Sequence, residues 1–334
     1  MEISILDQIP LTGGATGSEA LANAVDLAQH GEKLGYQRIW FAEHHGADNL
    51  ASAAPEIVIG QVAAKTEKIR VGSGGIMMMH YSPLKIAEVF KTLEAFHPNR
   101  IDLGLGRAPG GDRNSIFALS QGKAPQLDSL YEKIETIKDL IDDKIPQNEL
   151  YQYTPAVPSI ETRPEMWLLG SSGDSALEAG KKGMGYSFAQ FFSGNMNKEA
   201  LEIYRSRFEP SVFMPEKKIS VAFYALACDT EEEARYYELP YAIAKMHLVR
   251  GRRMPQFMTS EQAAEYPLNE MDKAVLEKVR EGHLVGTPQQ IHEKLQAYQA
   301  EYDFDEAMII TITHPHSVRL RSYELIANEI RKGM

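Results

Sequence analysis

The chain has almost no cysteine. Cys228 is the only one in 334 residues, which excludes an internal disulfide and a cysteine-based metal cluster and fits a reducing cytoplasm. Long apolar runs are also missing, because the hydrophobic stretches are strand-length and broken by glycine or charge, far short of the roughly 20 residues a membrane span needs. No signal peptide is expected, since Met1-Glu2-Ile3-Ser4-Ile5-Leu6-Asp7 places acid where a basic n-region would lie. Basic residues are in deficit, with 35 Lys+Arg against 46 Asp+Glu and a formal net charge of -11. That balance argues against nucleic acid, whose binding relies on clustered Lys and Arg releasing counterions. Any phosphate recognition must therefore be local.

What is present is a regular alternation of short β-branched runs and longer amphipathic segments. Strands are expected at 3–7, 38–43, 69–73, 101–105, 166–170, 186–190, 219–228 and 307–313, with helices at 18–34, 54–66, 83–96, 127–141 and 175–182 among them. Such an order signals parallel strands joined by crossover helices. An open doubly wound sheet would look the same locally, and the count of eight units favours a closed α/β barrel of the (β/α)8 TIM type. At 334 residues and 43% hydrophobic content the chain can bury one large core or two modest ones, and the barrel reading makes it one domain spanning 1–334. Ser18 with a following acid, Ser82-Pro83, Asn197, Thr230 and Thr287-Pro288 supply helix-start chemistry. Two stretches interrupt the repeat as insertions, 144–165 after the fourth helix and 250–284 near the seventh. Each reads either as a lid or as a contact surface.

Functional groups gather just after the strands, the end of a barrel where active sites lie. Trp40-Phe41-Ala42-Glu43-His44-His45 ends the second strand. Side chains alternate there, so one imidazole is expected to face the mouth, and imidazole exchanges protons near neutral pH. A metal site would need inward-facing histidines one residue apart and further ligands on later strands, a spacing this chain does not show. Ser73-Gly74-Gly75 marks either a tight turn or a flat ligand against backbone. Gly104-Leu105-Gly106-Arg107-Ala108-Pro109 fails the dinucleotide pattern, because Pro109 stands where its third glycine belongs. Arg107 suits an anion, or a salt bridge with Asp7 or Glu43. Gly170-Ser171-Ser172 opens a helix whose N-terminal N–H groups favour negative charge. Met77, Gln190 and Phe191, with His45, would line a substrate pocket or else belong to the core.

Taken together these stretches, with 39–46, 53–55, 71–75, 100–112, 168–172 and 284–288 most distinctive, resemble the bacterial luciferase-like flavin monooxygenase family over nearly the whole chain. The resemblance implies a TIM barrel that takes reduced FMN as a co-substrate or, in one branch, the deazaflavin F420. It implies a non-proline cis peptide at Gly74-Gly75 beneath the flavin, with Ala42 and Ser73 beside it. Arg107, Gly170, Ser171 and Ser172 would lie near the flavin phosphate, and His44 would handle a proton. A separate NAD(P)H-dependent flavin reductase, O2 and a small organic substrate complete the expected system, and a homodimer is implied. Hydride transfer with flavin or F420, or flavin binding without turnover, are the alternatives. The family's second phosphate arginine is missing here, where Lys123-Ala124-Pro125-Gln126-Leu127 stands. Either FMN affinity is modest, or another group such as Arg113 or Lys123 substitutes.

Overall fold

The computed structural model describes residues 1–123, 130–252 and 256–333. Its strands are β1 (Glu2–Asp7), β2 (Arg38–Phe41), β3 (Arg70–Ser73), β4 (Ile76–Met77), β5 (Ile101–Gly106), β6 (Glu165–Gly170), β7 (Gly185–Phe188), β8 (Ile219–Ala227), β9 (Leu284–Gly286) and β10 (Glu306–Ile310). Eight of them close a parallel barrel in the order β1, β2, β3, β5, β6, β7, β8, β10, with β10 pairing back onto β1. Two are extra to the eight expected from the sequence. β4 resumes pairing with the end of β5 after the glycine step, and β9 pairs with the last residues of β8.

Alternation along each strand separates two cores. Ile39 and Phe41 point outward with Ile5, Val71, Leu103 and Leu168 against the helices, whereas Trp40 points inward with Leu6, Ala42, Trp167, Tyr224, Met308 and Ile310. The barrel interior is thus filled with side chains and is a core rather than a pore.

Charge closes the entry end of the barrel. Arg38, the fully buried first residue of β2, pairs with Asp102 at 2.7 Å, Glu306 at 3.0 Å and Glu165 at 3.0 Å. Its guanidinium carbon lies 4.9 Å from the Trp167 ring centre, and the Trp40 indole N–H donates to Asp102 at 2.8 Å. Burial opposes the Arg38 charge, yet the three carboxylates hold its pKa above the ordinary arginine value. Burial likewise opposes ionisation of Asp102, and Arg38 with Arg70 keeps its carboxyl below the usual range. With this end sealed, the opposite mouth is left for chemistry.

Several boundaries differ from the sequence reading. The first helix, Gly17–Lys33, is capped by Thr16 rather than Ser18, because Thr16 and Glu19 form a reciprocal capping box. The expected β7 stops at Phe188, and Gln190 begins a one-turn helix, Gln190–Ser193. The insertion at 144–165 cannot be a lid over the mouth. It joins the end of helix Leu130–Ile141 to the start of β6, so it lies at the charged end of the barrel. The described residues of the insertion at 250–284 lie at the mouth, since Phe257 bridges Thr12 and β9 extends the far end of β8.

Candidate active site at the mouth of the barrel

The site starts from a crossing of two backbones. β3 and β5 approach so closely that a Cβ on Gly104 would sit 2.0 Å from the Ser73 carbonyl oxygen, and one on Gly75 would sit 2.9 Å from that of Gly104. Only glycine fits. The Ser73 hydroxyl donates to the Gly104 carbonyl at 2.8 Å and accepts the Gly104 N–H at 3.0 Å, so it is committed to joining the strands. The Gly74–Gly75 peptide is cis, as the resemblance implied.

The two histidines diverge as alternation requires. His44 is partly buried, its N–H donates to the Ser52 carbonyl at 3.0 Å, and its Nδ1 lies 3.4 Å from the Ser52 hydroxyl. Burial, aided by the neighbouring His45, lowers its pKa to about 4, so at pH 7 the ring is neutral. His45 turns to Glu43, with Nε2 2.8 Å from Oε1.

Glu43, named from the sequence only as a salt-bridge partner for Arg107, organises this side of the site. Its fully buried carboxylate accepts from His45, from the Tyr81 hydroxyl at 2.8 Å and from the Met77 N–H at 2.8 Å. These donors satisfy a charge that burial would otherwise penalise. They also fix the segment just past Gly75. The available signal was spacing, because positions 43 and 45 share a side of an extended chain. Burial, then Glu43, raises the pKa of the Tyr81 hydroxyl above its ordinary value.

An anion corner forms at the ends of β5 and β6. Arg107 is exposed and its guanidinium carbon lies 5.6 Å from the Tyr131 ring centre. The alternative salt bridges do not form. Asp7 is taken by Arg319 at 2.7 Å, and Glu43 by the three donors above. Among the described residues Arg107 has no ion pair. The Tyr131 hydroxyl is buried without a hydrogen-bond partner among the described residues, and burial raises its pKa. Ser172 caps helix Gly173–Lys181, accepting the Ser175 N–H at 3.3 Å, with Ser171 half-buried before it. Gly170 has a packing reason of its own, because its Cβ would lie 2.3 Å from the Ser175 hydroxyl. Arg113 lies exposed on helix Arg113–Leu119, while positions 124–127 of the arginine-less stretch are outside the described residues.

The pocket candidates also gather at the mouth. Met77 is buried in β4, and Ala42 belongs to the barrel interior. Gln190 is 1% exposed, and its amide donates to the Gly194 carbonyl at 3.3 Å and the Gly282 carbonyl at 3.2 Å. Phe191 packs half-buried against the interior core. Above them the helix Glu231–Val249 contributes Tyr241 and Ala244 to that core, with Tyr241 stacked on Tyr224 at 4.0 Å. Among the described residues no group of three His, Cys, Asp or Glu side chains could hold a metal ion. No described helix is long and apolar enough to cross a membrane.

Comparison with known proteins agrees with this fold. The model of luciferase-like monooxygenases matches residues 1–302. The chain belongs to the luciferase-like monooxygenase family. A luciferase-like monooxygenase of Escherichia coli (strain K12) is 35% identical, covering 96% of this chain and 95% of its own. The N-acetyl-S-alkylcysteine monooxygenase of Bacillus subtilis (strain 168) is 34% identical over 99% and 98%. The crystal structure of apo-MsnO8 superposes with a TM-score of 0.88 at 31% identity, covering 99% and 98%. Solved structures of the same fold bind either flavin type. The oxygenating constituent of 3,6-diketocamphane monooxygenase holds FMN (TM-score 0.72, 16% identity, 100% and 99% covered), and a secondary alcohol dehydrogenase holds an F420-acetone adduct (0.70, 14%, 99% and 99%).

Proposed function

We propose that this luciferase-like protein is the oxygenase of a two-component system, using reduced FMN from a separate NAD(P)H-dependent reductase and O2 to oxygenate a small organic substrate. The observation that carries the reading is the anion corner. An arginine without an ion pair and a buried tyrosine hydroxyl without a hydrogen-bond partner among the described residues, together with a serine-capped helix N-terminus, fit a phosphate monoester. The relative described as an oxygenating constituent supports a division of labour with a reductase. The relative named for N-acetyl-S-alkylcysteine makes N-acyl thioether amino acids the first substrates to test.

Reduced FMN would supply the two electrons with which one atom of O2 enters the substrate and the other leaves as water. The chain's residues do the rest. Arg107, Tyr131 and the helix after Ser172 hold the phosphate, and the glycine crossing offers a flat floor without side chains. Leu6, Trp40, Ala42 and Trp167 keep bulk water from the barrel side. His44, neutral at working pH, accepts or relays a proton at its ring nitrogens, with the Ser52 hydroxyl nearest to Nδ1.

The test is anaerobic titration with reduced FMN, oxidised FMN, riboflavin and F420, followed by 18O2 and a thioether panel. Arg107→Ala should weaken FMN about 10- to 100-fold while leaving riboflavin nearly unchanged, the loss expected for one charge-assisted contact. Preference for F420, or equal binding of FMN and riboflavin, would overturn the assignment. Label from 18O2 in the product would separate oxygenation from hydride transfer.

A further inference from the structure

The helix Glu231–Val249 lies over the barrel mouth with Tyr237, Tyr241 and Lys245 at successive i, i+4 positions. Tyr241 belongs to the interior core and Tyr237 packs against it, so the third member of the stripe faces the same region. Lys245 is half-buried. Its ammonium donates to the Phe191 carbonyl at 3.2 Å and lies 5.2 Å from the Phe192 ring centre. Among the described residues no carboxylate pairs with it, in a chain with 11 more acidic than basic residues (46 against 35). Burial lowers its pKa below the ordinary lysine value. A cation withdrawn from water without a counter-charge is costly unless something anionic joins it.

A second observation lies in the same one-turn helix. Gln190, immediately before Phe191, is almost fully buried and its amide N–H groups are both used, yet its Oε1 has no partner among the described residues. A buried carbonyl left unsatisfied is rare enough to need an explanation.

We propose that Lys245 is the carboxylate anchor of the substrate site, binding a small organic anion at the barrel mouth, with the Gln190 amide oxygen accepting an N–H of the same molecule. The substrate class is therefore an acid carrying an amide N–H near its carboxylate. Two charged or polar contacts so placed would orient the rest of the molecule toward the flavin floor. A tether between helix and turn needs only the one bond to the Phe191 carbonyl. The anchor role needs the charge. The proposal rests on the monooxygenase reading for its location at a substrate site.

The experiment is calorimetric binding of acetate, N-acetylglycine and N-acetyl-S-methylcysteine, each beside its methyl ester, to flavin-free protein. Wild type should prefer the acids. Lys245→Met and Lys245→Gln should each weaken the acids about 10- to 100-fold and leave the esters unchanged, while Lys245→Arg stays within a few-fold of wild type. Lys245→Gln keeps a donor for the Phe191 carbonyl, so it separates charge from tethering if the methionine variant does not fold. Acids and esters that bind alike, or no binding of any acid at concentrations on the order of 10 mM, would overturn the anchor. FMN titration of the same preparations keeps the two readings apart. FMN binding with a failed anchor sinks only this proposal, and charge-dependent acid binding without FMN binding sinks only the cofactor assignment.

Discussion

His44 is the sharpest place to test the physical account, because burial and the adjacent His45 move it from 6.5 to about 4. Above pH 6.5 the ring is neutral in both folded and unfolded chains, so it contributes nothing to pH dependence. As pH falls below 6.5 the unfolded chain takes up a proton that the folded site resists, and stability is lost. Working the two values through proton linkage gives a loss of at most about 2 kcal/mol at pH 5, levelling near 3 kcal/mol below pH 4. His44→Asn removes that share and should be less sensitive to acid by the same amount. The assay is urea unfolding of both proteins at pH 8 and pH 5, with a histidine Cε1–H titration by NMR in which His44→Asn assigns the peak. A midpoint above pH 6, or an equal acid loss in the variant, would refute the argument that the ring is held neutral. The same shift bears on turnover. The limb of the rate profile due to His44 should fall near pH 4, and His44→Asn should lower turnover about 10²- to 10⁴-fold if the ring exchanges a proton in the reaction.

Two structural predictions follow from the crossing and the plug. Gly104→Ala drives a methyl into the Ser73 carbonyl at 2.0 Å and should cost roughly 3 kcal/mol or more, read as a lowered unfolding midpoint; an unchanged midpoint would show that β3 and β5 can part. Arg38→Met leaves Asp102 with Arg70 alone and Glu306 with only Lys218 at 3.5 Å, and should destabilise by about 3–5 kcal/mol at neutral pH. Its deficit should shrink in acid, because Asp102 loses the Arg38 charge that helps hold its carboxyl below the usual range and protonates more readily in the variant, which a urea series from pH 7 to pH 4 would detect.

Much of the barrel was legible because its signals are local. The alternation of buried strand and amphipathic helix, proline at a first turn and hydroxyl caps such as Ser82 and Thr287 act within a few residues. The misplaced first cap shows the limit of that logic. Ser18 has the right chemistry, but Thr16 has a partner in Glu19 at the capping-box spacing. The histidine pair and the arginine after β5 were legible for a similar reason, since strand ends carry function in this architecture. Glu43, Ser52, Tyr81 and Tyr131 were not singled out. Their roles come from partners brought from other elements, as with Tyr131 beneath Arg107 or Met77 donating to Glu43.

The sequence by itself determined the class of fold and the family, and it singled out the strand ends that carry the candidate site, because periodicity and short motifs are written in neighbouring residues. Tertiary structure alone decided which glycines are forced by backbone contact and that Ser73 is spent on Gly104. It decided that 144–165 lies away from the mouth while the described residues of 250–284 lie at it. It also decided that His44 is neutral and that Lys245 has no carboxylate partner among the described residues. Each of these depends on distance through space, and burial and charge pairing exist only once the chain has closed on itself.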